Sequence, residues 1–224
     1  MLLSQFAKSF TSADPATKPF YYYQIYDEYF QKNKFVPTSI LEIGVFNGES
    51  TKVFSRCFPE AKIVALDLEL KEIDFSDYPN VKYVQANQTD KNRLEELAGT
   101  EFPEGIDMIL DDASHIGSFS AITMRILFPY LKSNGTYVIE DWGTGYWDSW
   151  VDGSRFQEYP LNFHDGNVPK RLPSHDYGMV GFVKSLVDLT HESAIRAGLH
   201  DTPKHVSRLK SVEFFEGLCF ARKK

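Results

Sequence analysis

Ile40-Leu41-Glu42-Ile43-Gly44-Val45-Phe46-Asn47-Gly48-Glu49-Ser50 is the stretch whose reading decides the fold. A short apolar run ends in glycine, and a polar helix start follows within a few residues. That order reads as a strand passing through a tight turn into a helix. The same rhythm recurs downstream. Apolar runs fall at 40–43, 63–66, 81–84, 106–110 and 137–139, and several favour the β-branched or aromatic residues of buried strands. Between them, 49–57, 91–98 and 119–131 read as helices. Strands alternating with such stretches predict an α/β fold: a Rossmann-like, doubly wound, mostly parallel sheet covered by helices. Outside this core, 20–32 reads as an aromatic-rich helix within an N-terminal helical segment, 1–37. Residues 142–173 are loop-like, with Gly, Asp, Asn and Pro throughout, and 180–191 reads as a helix. Two last runs, 206–209 and 213–220, predict an antiparallel C-terminal pair at the sheet edge.

Composition narrows the classes of function. The 224 residues predict one domain, 1–224, with ordinary globular usage: 42% hydrophobic and 25% charged. The net charge of −7, without a dense Lys/Arg block, argues against nucleic acid as a partner. The two cysteines, Cys57 and Cys219, form neither a metal cluster nor a disulfide framework, which fits a reducing compartment. No apolar run approaches the ~20 residues that span a bilayer. Lys8 and Asp14 interrupt the N-terminus before any signal-like core. The expectation is a soluble cytoplasmic protein, with homo-oligomerisation left open.

Ligands of open parallel sheets bind beyond the carboxyl ends of the strands, so the Gly44 turn is a natural site. Glycine permits close backbone approach, and the next helix presents free N–H groups. Only Gly44 and Gly48 are present, short of the Gly-x-Gly-x-x-Gly of dinucleotide sites. Glu42, just before the turn, suits a ligand with an ammonium group. Asp67 ends the next strand, where a carboxylate can accept both ribose hydroxyl protons. Equally, an aspartate there can simply cap a turn.

Leu41-Glu42-Ile43-Gly44 with Asp67 resembles the nucleoside-binding half of class I S-adenosylmethionine-dependent methyltransferases. The resemblance implies Glu42 and Gly44 near the methionine portion, Asp67 on the ribose, and Asn87 and Gln88 near adenine. Across 17–147 the chain more closely resembles metal-dependent macrolide-sugar O-methyltransferases of the mycinamicin type. The matching residues are Thr17-Lys18, Tyr26-Asp27-Glu28-Tyr29-Phe30, Gln88-Thr89-Asp90, Asp111-Asp112-Ala113-Ser114-His115 and Glu140-Asp141-Trp142. Asn87 stands where that family usually has Asp, and Ala113 where it usually has Gly. The resemblance also implies that Lys18 and its neighbours lie near the mouth of the site.

Asp111 and Asp112 end one buried run, and Glu140 and Asp141 end the next. Bare carboxylates gathered at one rim repel each other, and a hard divalent cation such as Mg²⁺, which takes oxygen ligands, relieves that. Asp112, Glu140 and Asp141 are the candidate ligands. Asp111 is assigned to the cofactor side or to holding the loop. The alternative is that the Asp-Asp pair only caps the following helix. His115, three residues past Asp112, is the candidate general base for a metal-acidified hydroxyl. The macrolide-sugar enzymes have a histidine at this spot, and catechol O-methyltransferases have a similar layout. The other histidines, 164, 175, 191, 200 and 205, lack such a setting. Ser174-His175-Asp176 invites a triad reading, but adjacent side chains rarely converge on one reacting atom.

Trp142, Trp147 and Trp150 follow the acidic pair. Flat aromatic faces suit a sugar or polyketide ring, and glycines let a loop close over it. Trp142 and Tyr146 are the candidate substrate contacts, and 142–173 the candidate specificity loop. The Tyr-rich stretch 21–29 reads as a packed helix. The leading expectation is a Mg²⁺-dependent S-adenosylmethionine O-methyltransferase acting on a small hydroxylated acceptor, a sugar of a glycosylated natural product. The alternatives are an NAD-type Rossmann oxidoreductase or nucleotide-sugar enzyme, and a non-catalytic methyltransferase-fold interaction protein.

Overall fold

The computed structural model describes residues 2–10, 17–154, 175–193 and 207–224. Two helices, α1 (Leu3–Ala7) and α2 (Phe20–Asn33), precede the sheet. Then follow β1 (Ser39–Ile43), α3 (Glu49–Cys57), β2 (Lys62–Asp67), β3 (Val81–Gln85), α4 (Lys91–Glu101), β4 (Ile106–Asp111), α5 (Gly117–Leu127) and β5 (Leu131–Glu140). The chain closes with α6 (Gly178–Thr190), β6 (Leu209–Phe214) and β7 (Leu218–Lys223). The strands form one seven-stranded sheet in the order β3-β2-β1-β4-β5-β7-β6. Strands β1 to β5 are parallel, and the β7 and β6 pairings are antiparallel. The expected doubly wound sheet with an antiparallel edge is what forms. Among the described residues, no helix is long and apolar enough to cross a membrane.

Two expectations needed correction. The helix expected through residue 131 stops at Leu127 and passes through a 3₁₀ turn at Phe128–Tyr130. Pro129 has no N–H to continue the helical ladder, so the chain leaves it one turn early. At the C-terminus, the run 213–220 is not one strand. It straddles the hairpin turn: Gly217 takes φ +75°, and Phe215 exchanges backbone bonds with Leu218. Residue 206 and its immediate predecessors lie outside the described residues.

Both faces of the sheet are covered. Leu3, Tyr26, Tyr29, Val53 and Phe54 pack one face; Leu94, Leu97, Met124, Leu127, Met179 and Val183 pack the other. All five β1 residues are buried, as a central parallel strand requires. Strand alternation then assigns each rim residue to a layer. Met108, Leu110 and Val138 face the α2–α3 layer, whereas Ile109 and Ile139 face the α5–α6 layer. Ile43 pairs with Leu66 and Asp111, and Asp111 pairs with Ile139. One step further along, Asp67, Gly44, Asp112 and Glu140 therefore stand side by side at the carboxyl edge. The strand order reverses between β1 and β4, so this row crosses the crevice where such sheets bind ligands.

Candidate functional site

Gly44 makes the crevice possible. It takes φ +89°, its N–H bonds Leu66 O at 2.9 Å, and a Cβ there would fall 2.1 Å from the Asp112 carbonyl oxygen. Only glycine fits between the ends of β1 and β4. Beyond it lie two cavities that share Gly44, Phe46, Asp112 and Ala113 in their walls, of about 340 and 400 Å³.

The smaller cavity opens over β2 and β3, with Asp67, Asn87, Gln88 and Phe119 in its wall. Asp67 Oδ2 accepts the N–H groups of Val45 (2.9 Å) and Phe46 (3.2 Å), tying the turn after β1 to the end of β2. Asn87 Oδ1 accepts from Thr89 N–H and Oγ1, and the buried Gln88 donates from Nε2 to Thr123 Oγ1 at 3.1 Å. These three expected cofactor residues come together in one cavity. Asp67 holds the turn and also stands in the cavity wall.

The larger cavity opens over β4 and β5 and takes in Lys18, Asp112, His115, Glu140, Asp141 and Trp150. His115 Nε2 lies 3.1 Å from Asp112 Oδ1 and 3.7 Å from Asp141 Oδ2. His115 and Asp141 reach this meeting through left-handed backbone, at φ +54° and +53°. Asp112, His115 and Asp141 each present a ligand-type atom within 4.8 Å of the others. The structure thus groups His115, rather than Glu140, with the two aspartates. Glu140 is fully buried at the same rim. Its Oε1 accepts from Lys18 Nζ and from Tyr26 OH, both at 2.6 Å, and its Oε2 has no hydrogen-bond partner.

Electrostatics follows from burial and these neighbours. Burial pushes the Glu140 carboxyl up, and Asp112 adds to the rise while Lys18 opposes it. Burial pushes Asp112 the same way, but Lys18 and His115 outweigh it and hold its carboxyl below the usual range. For His115, burial favours the neutral ring, yet Asp112 and Asp141 raise its pKa by stabilising the imidazolium. His115 Nδ1 is buried without a partner. Glu42 is also buried: Thr51 donates to Oε2, while Oε1 has none.

Sequence reasoning missed the role of α2 as a holder of acids. Tyr22 donates to Asp141 Oδ1 and Tyr26 to Glu140 Oε1, while Tyr29 bonds Thr136. The signal was there: tyrosines at 22, 26 and 29 share one helical face. They are also packed, as expected, with Tyr29 stacked on Phe220 at 4.2 Å and Tyr26 edge-on to Phe54. Lys18 was expected only at the mouth. Its side chain is 6% exposed and bonds Glu140, Asp112 and Ser50.

Four expected contacts are not brought to the cavities: Glu42 is buried behind the Gly44 turn, bonded by Thr51, and lines neither, and the other three are Asp111, Trp142 and Tyr146. Asp111 lines neither, because alternation along β4 turns it with Ile109 toward α5; there it accepts from Tyr137 OH at 2.8 Å. Burial pushes its carboxyl up to about 6. Trp142 is drawn to the β6–β7 hairpin, donating from Nε1 to Phe215 O at 3.1 Å and packing on Phe214. Tyr146 packs between Trp142 and His175. Trp147 and Trp150 line the large cavity instead, with the Trp150 ring 5.2 Å from His115. After them Asp152 turns back into the protein and accepts Gly117 N–H at 2.6 Å, capping α5. Residues 155–173 of the expected specificity loop, with Ser174, His164, His200 and His205, lie outside the described residues.

No protein-family model matches the chain. In sequence it is similar to mycinamicin VI 2''-O-methyltransferase of Micromonospora griseorubida, 26% identical over 206 residues, covering 88% of this chain and 47% of that protein. It is 29% identical over 212 residues to 8-demethyl-8-alpha-L-rhamnosyl tetracenomycin-C 2'-O-methyltransferase of Streptomyces olivaceus, covering 91% of this chain and 50% of that one. In structure it is similar to the MycE methyltransferase of the mycinamycin pathway, solved with Mg, SAH and mycinamycin VI. The TM-score is 0.71 at 25% identity, over 100% of this chain and 53% of MycE. The chain spans about half the length of the curated relatives it matches. It is similar in sequence to these sugar O-methyltransferases and shares the Rossmann-like fold of the MycE methyltransferase.

Proposed function

We propose that this chain is a divalent-metal-dependent O-methyltransferase. It would carry a methyl group from S-adenosylmethionine to a hydroxyl of a small molecule, a sugar of a glycosylated natural product. The observation that carries this reading is the crossing of two features at the strand-order reversal. A glycine turn that admits no side chain opens onto a rim where Asp112, His115 and Asp141 meet, beside the unpartnered Oε2 of Glu140. Similarity to enzymes named for methylating sugar hydroxyls supports the choice of acceptor.

The residues suit both groups. Glu42 Oε1 lacks a partner two residues before Gly44, where a ligand's ammonium group would complete it. Asp67, Asn87 and Gln88 share the smaller cavity, the place for ribose and adenine. Asp112, Glu140 and Asp141 offer the hard oxygen atoms that Mg²⁺ prefers. Held by these residues, Mg²⁺ would supply Lewis acidity to an acceptor hydroxyl. His115 takes the hydroxyl proton, and Asp112 and Asp141 stabilise the resulting imidazolium. The acceptor oxygen bonds to the methyl carbon as the carbon–sulfur bond breaks. Trp147 and Trp150 wall the cavity, orient the acceptor ring and keep water from the reacting atoms.

Calorimetric titration with S-adenosylhomocysteine, NAD and Mg²⁺ tests the reading. Binding of S-adenosylhomocysteine and Mg²⁺ without NAD is expected. NAD binding with no response to S-adenosylhomocysteine would sink it in favour of an oxidoreductase.

A further inference from the structure

Lys18 brings an ammonium group to two of the candidate metal ligands, Glu140 and Asp112, inside the large cavity. An ammonium has three N–H donors and no acceptor. Here three side-chain oxygens surround it: Glu140 Oε1 at 2.6 Å, Ser50 Oγ at 3.0 Å and Asp112 Oδ2 at 3.3 Å. The side chain is 6% exposed and that of Glu140 is 0% exposed, so water contributes little to either charge. Within this set Glu140 Oε2 is fully buried, lies in a residue that lines the cavity, and has no protein partner. That oxygen is open to a further donor or cation. Nothing covalent fixes Lys18 in place. It sits on the short segment just before α2, and its four-carbon stem is flexible.

We propose that Lys18 is an internal counter-cation that competes with the divalent metal for the carboxylates of Glu140 and Asp112, and that metal entry displaces it. The inference rests on the metal-dependent reading above and adds to it that this chain sets its own metal affinity. Both cations seek the same oxygens, and like charges a few ångströms apart in a dry cleft repel strongly. Metal binding must therefore move the ammonium away or suffer its repulsion. In exchange, Lys18 keeps the rim carboxylates from repelling one another apart, so the cleft is ordered before metal arrives. A displaced Lys18 Nζ would move toward the cavity mouth, where the acceptor enters.

Two measurements on the full chain test this, neither depending on turnover. In the first, Mg²⁺ is titrated calorimetrically into the wild type and Lys18→Met. The variant is expected to bind Mg²⁺ about tenfold more tightly or better, with Lys18→Arg remaining near the wild type. Equal or weaker binding by Lys18→Met would overturn the proposal and leave Lys18 a plain structural cation. If Lys18→Met folds poorly alone, recovery of its cooperative melt in Mg²⁺ supports replacement of the ammonium by metal; failure to recover counts against it. In the second, wild-type lysines are acetylated with an amine-selective ester and counted by peptide mass spectrometry. Acetylation of Lys18 is expected to rise several-fold in saturating Mg²⁺, with exposed Lys91 unchanged. Mg²⁺ that binds without altering Lys18 labelling would overturn this inference alone. No Mg²⁺ binding by either protein would overturn it together with the metal-dependent reading.

Discussion

On the β2–β3 side of Gly44, Asp67, Asn87 and Gln88 direct hydrogen bonds to the protein itself. On the β4–β5 side, Glu140 and His115 each keep a buried atom without a protein partner. Under the proposed function, the first half is a scaffold whose shape a ligand would read, and the second half holds buried charge that a ligand would complete. A buried polar atom without a partner costs about 1–3 kcal/mol, a cost that a ligand bound at Glu140 and His115 would offset. The contrast predicts that shape changes hurt binding in the first half, and charge changes hurt turnover in the second.

The largest effect should come where the halves join. Gly44→Val would drive a side chain into the Asp112 carbonyl from a left-handed backbone. We expect loss of measurable S-adenosylhomocysteine binding by calorimetry together with a lower Tm. Retained affinity would show that the turn does not approach the ligand. Next, His115→Ala should lower kcat by about 10²–10⁴, the range of a general base, while S-adenosylhomocysteine affinity stays within about threefold. An unchanged rate would remove His115 from the mechanism. Trp150→Ala should raise KM for the acceptor by roughly tenfold, the size of a lost aromatic contact, with little change in cofactor affinity. If kcat and KM are both unmoved, Trp150 is not part of the acceptor wall.

The smallest effect belongs to Asp111. Its pKa, raised to about 6 from 3.8 by burial, means that the protonated form suits the fold and that stability falls as pH rises through that value. Asp111→Asn removes this dependence and keeps an acceptor for Tyr137. The variant should melt higher than the wild type at about pH 8, the difference fading below about pH 4, with ligand binding intact. A variant less stable at high pH would mean that the hydrogen bond from Tyr137 to the ionised carboxylate outweighs the cost of burying its charge.

Much of this contrast was legible in the sequence, because it is carried by strand ends. Gly44, Asp67, Asp112 and Glu140 stand at or just past the ends of four of the five apolar runs, and parallel register aligns them. Helix 49–57 and the antiparallel C-terminal pair followed from the same periodicities. What was not legible depends on side-chain direction and on long-range partners. Asp111 and Asp112 are neighbours in the chain but face opposite layers, and only the burial of Ile109 and Leu110 on opposite faces reveals which is which. Trp142 is adjacent to the acids yet bonds a hairpin 73 residues away, whereas the more distant Trp150 turns back to His115. Tyr22, Tyr26 and Lys18 lie more than 90 residues before their carboxylates, and no local pattern pairs them. The hairpin boundaries slipped because Phe214, Phe215 and Phe220 read as one apolar run, with Gly217 hidden inside it.

The most direct test of the central claim follows the methyl group itself. The protein is incubated with S-adenosylmethionine bearing a deuterated methyl group and a panel of glycosylated hydroxyl acceptors, with Mg²⁺ or with EDTA. Products are read by mass spectrometry. The account predicts a labelled methyl ether on a sugar hydroxyl of at least one acceptor, formed with Mg²⁺ and lost in EDTA. Transfer at an undiminished rate in EDTA would contradict the metal-dependent reading of the acidic rim. Binding of S-adenosylhomocysteine with no transfer to any hydroxyl would contradict the proposed function itself.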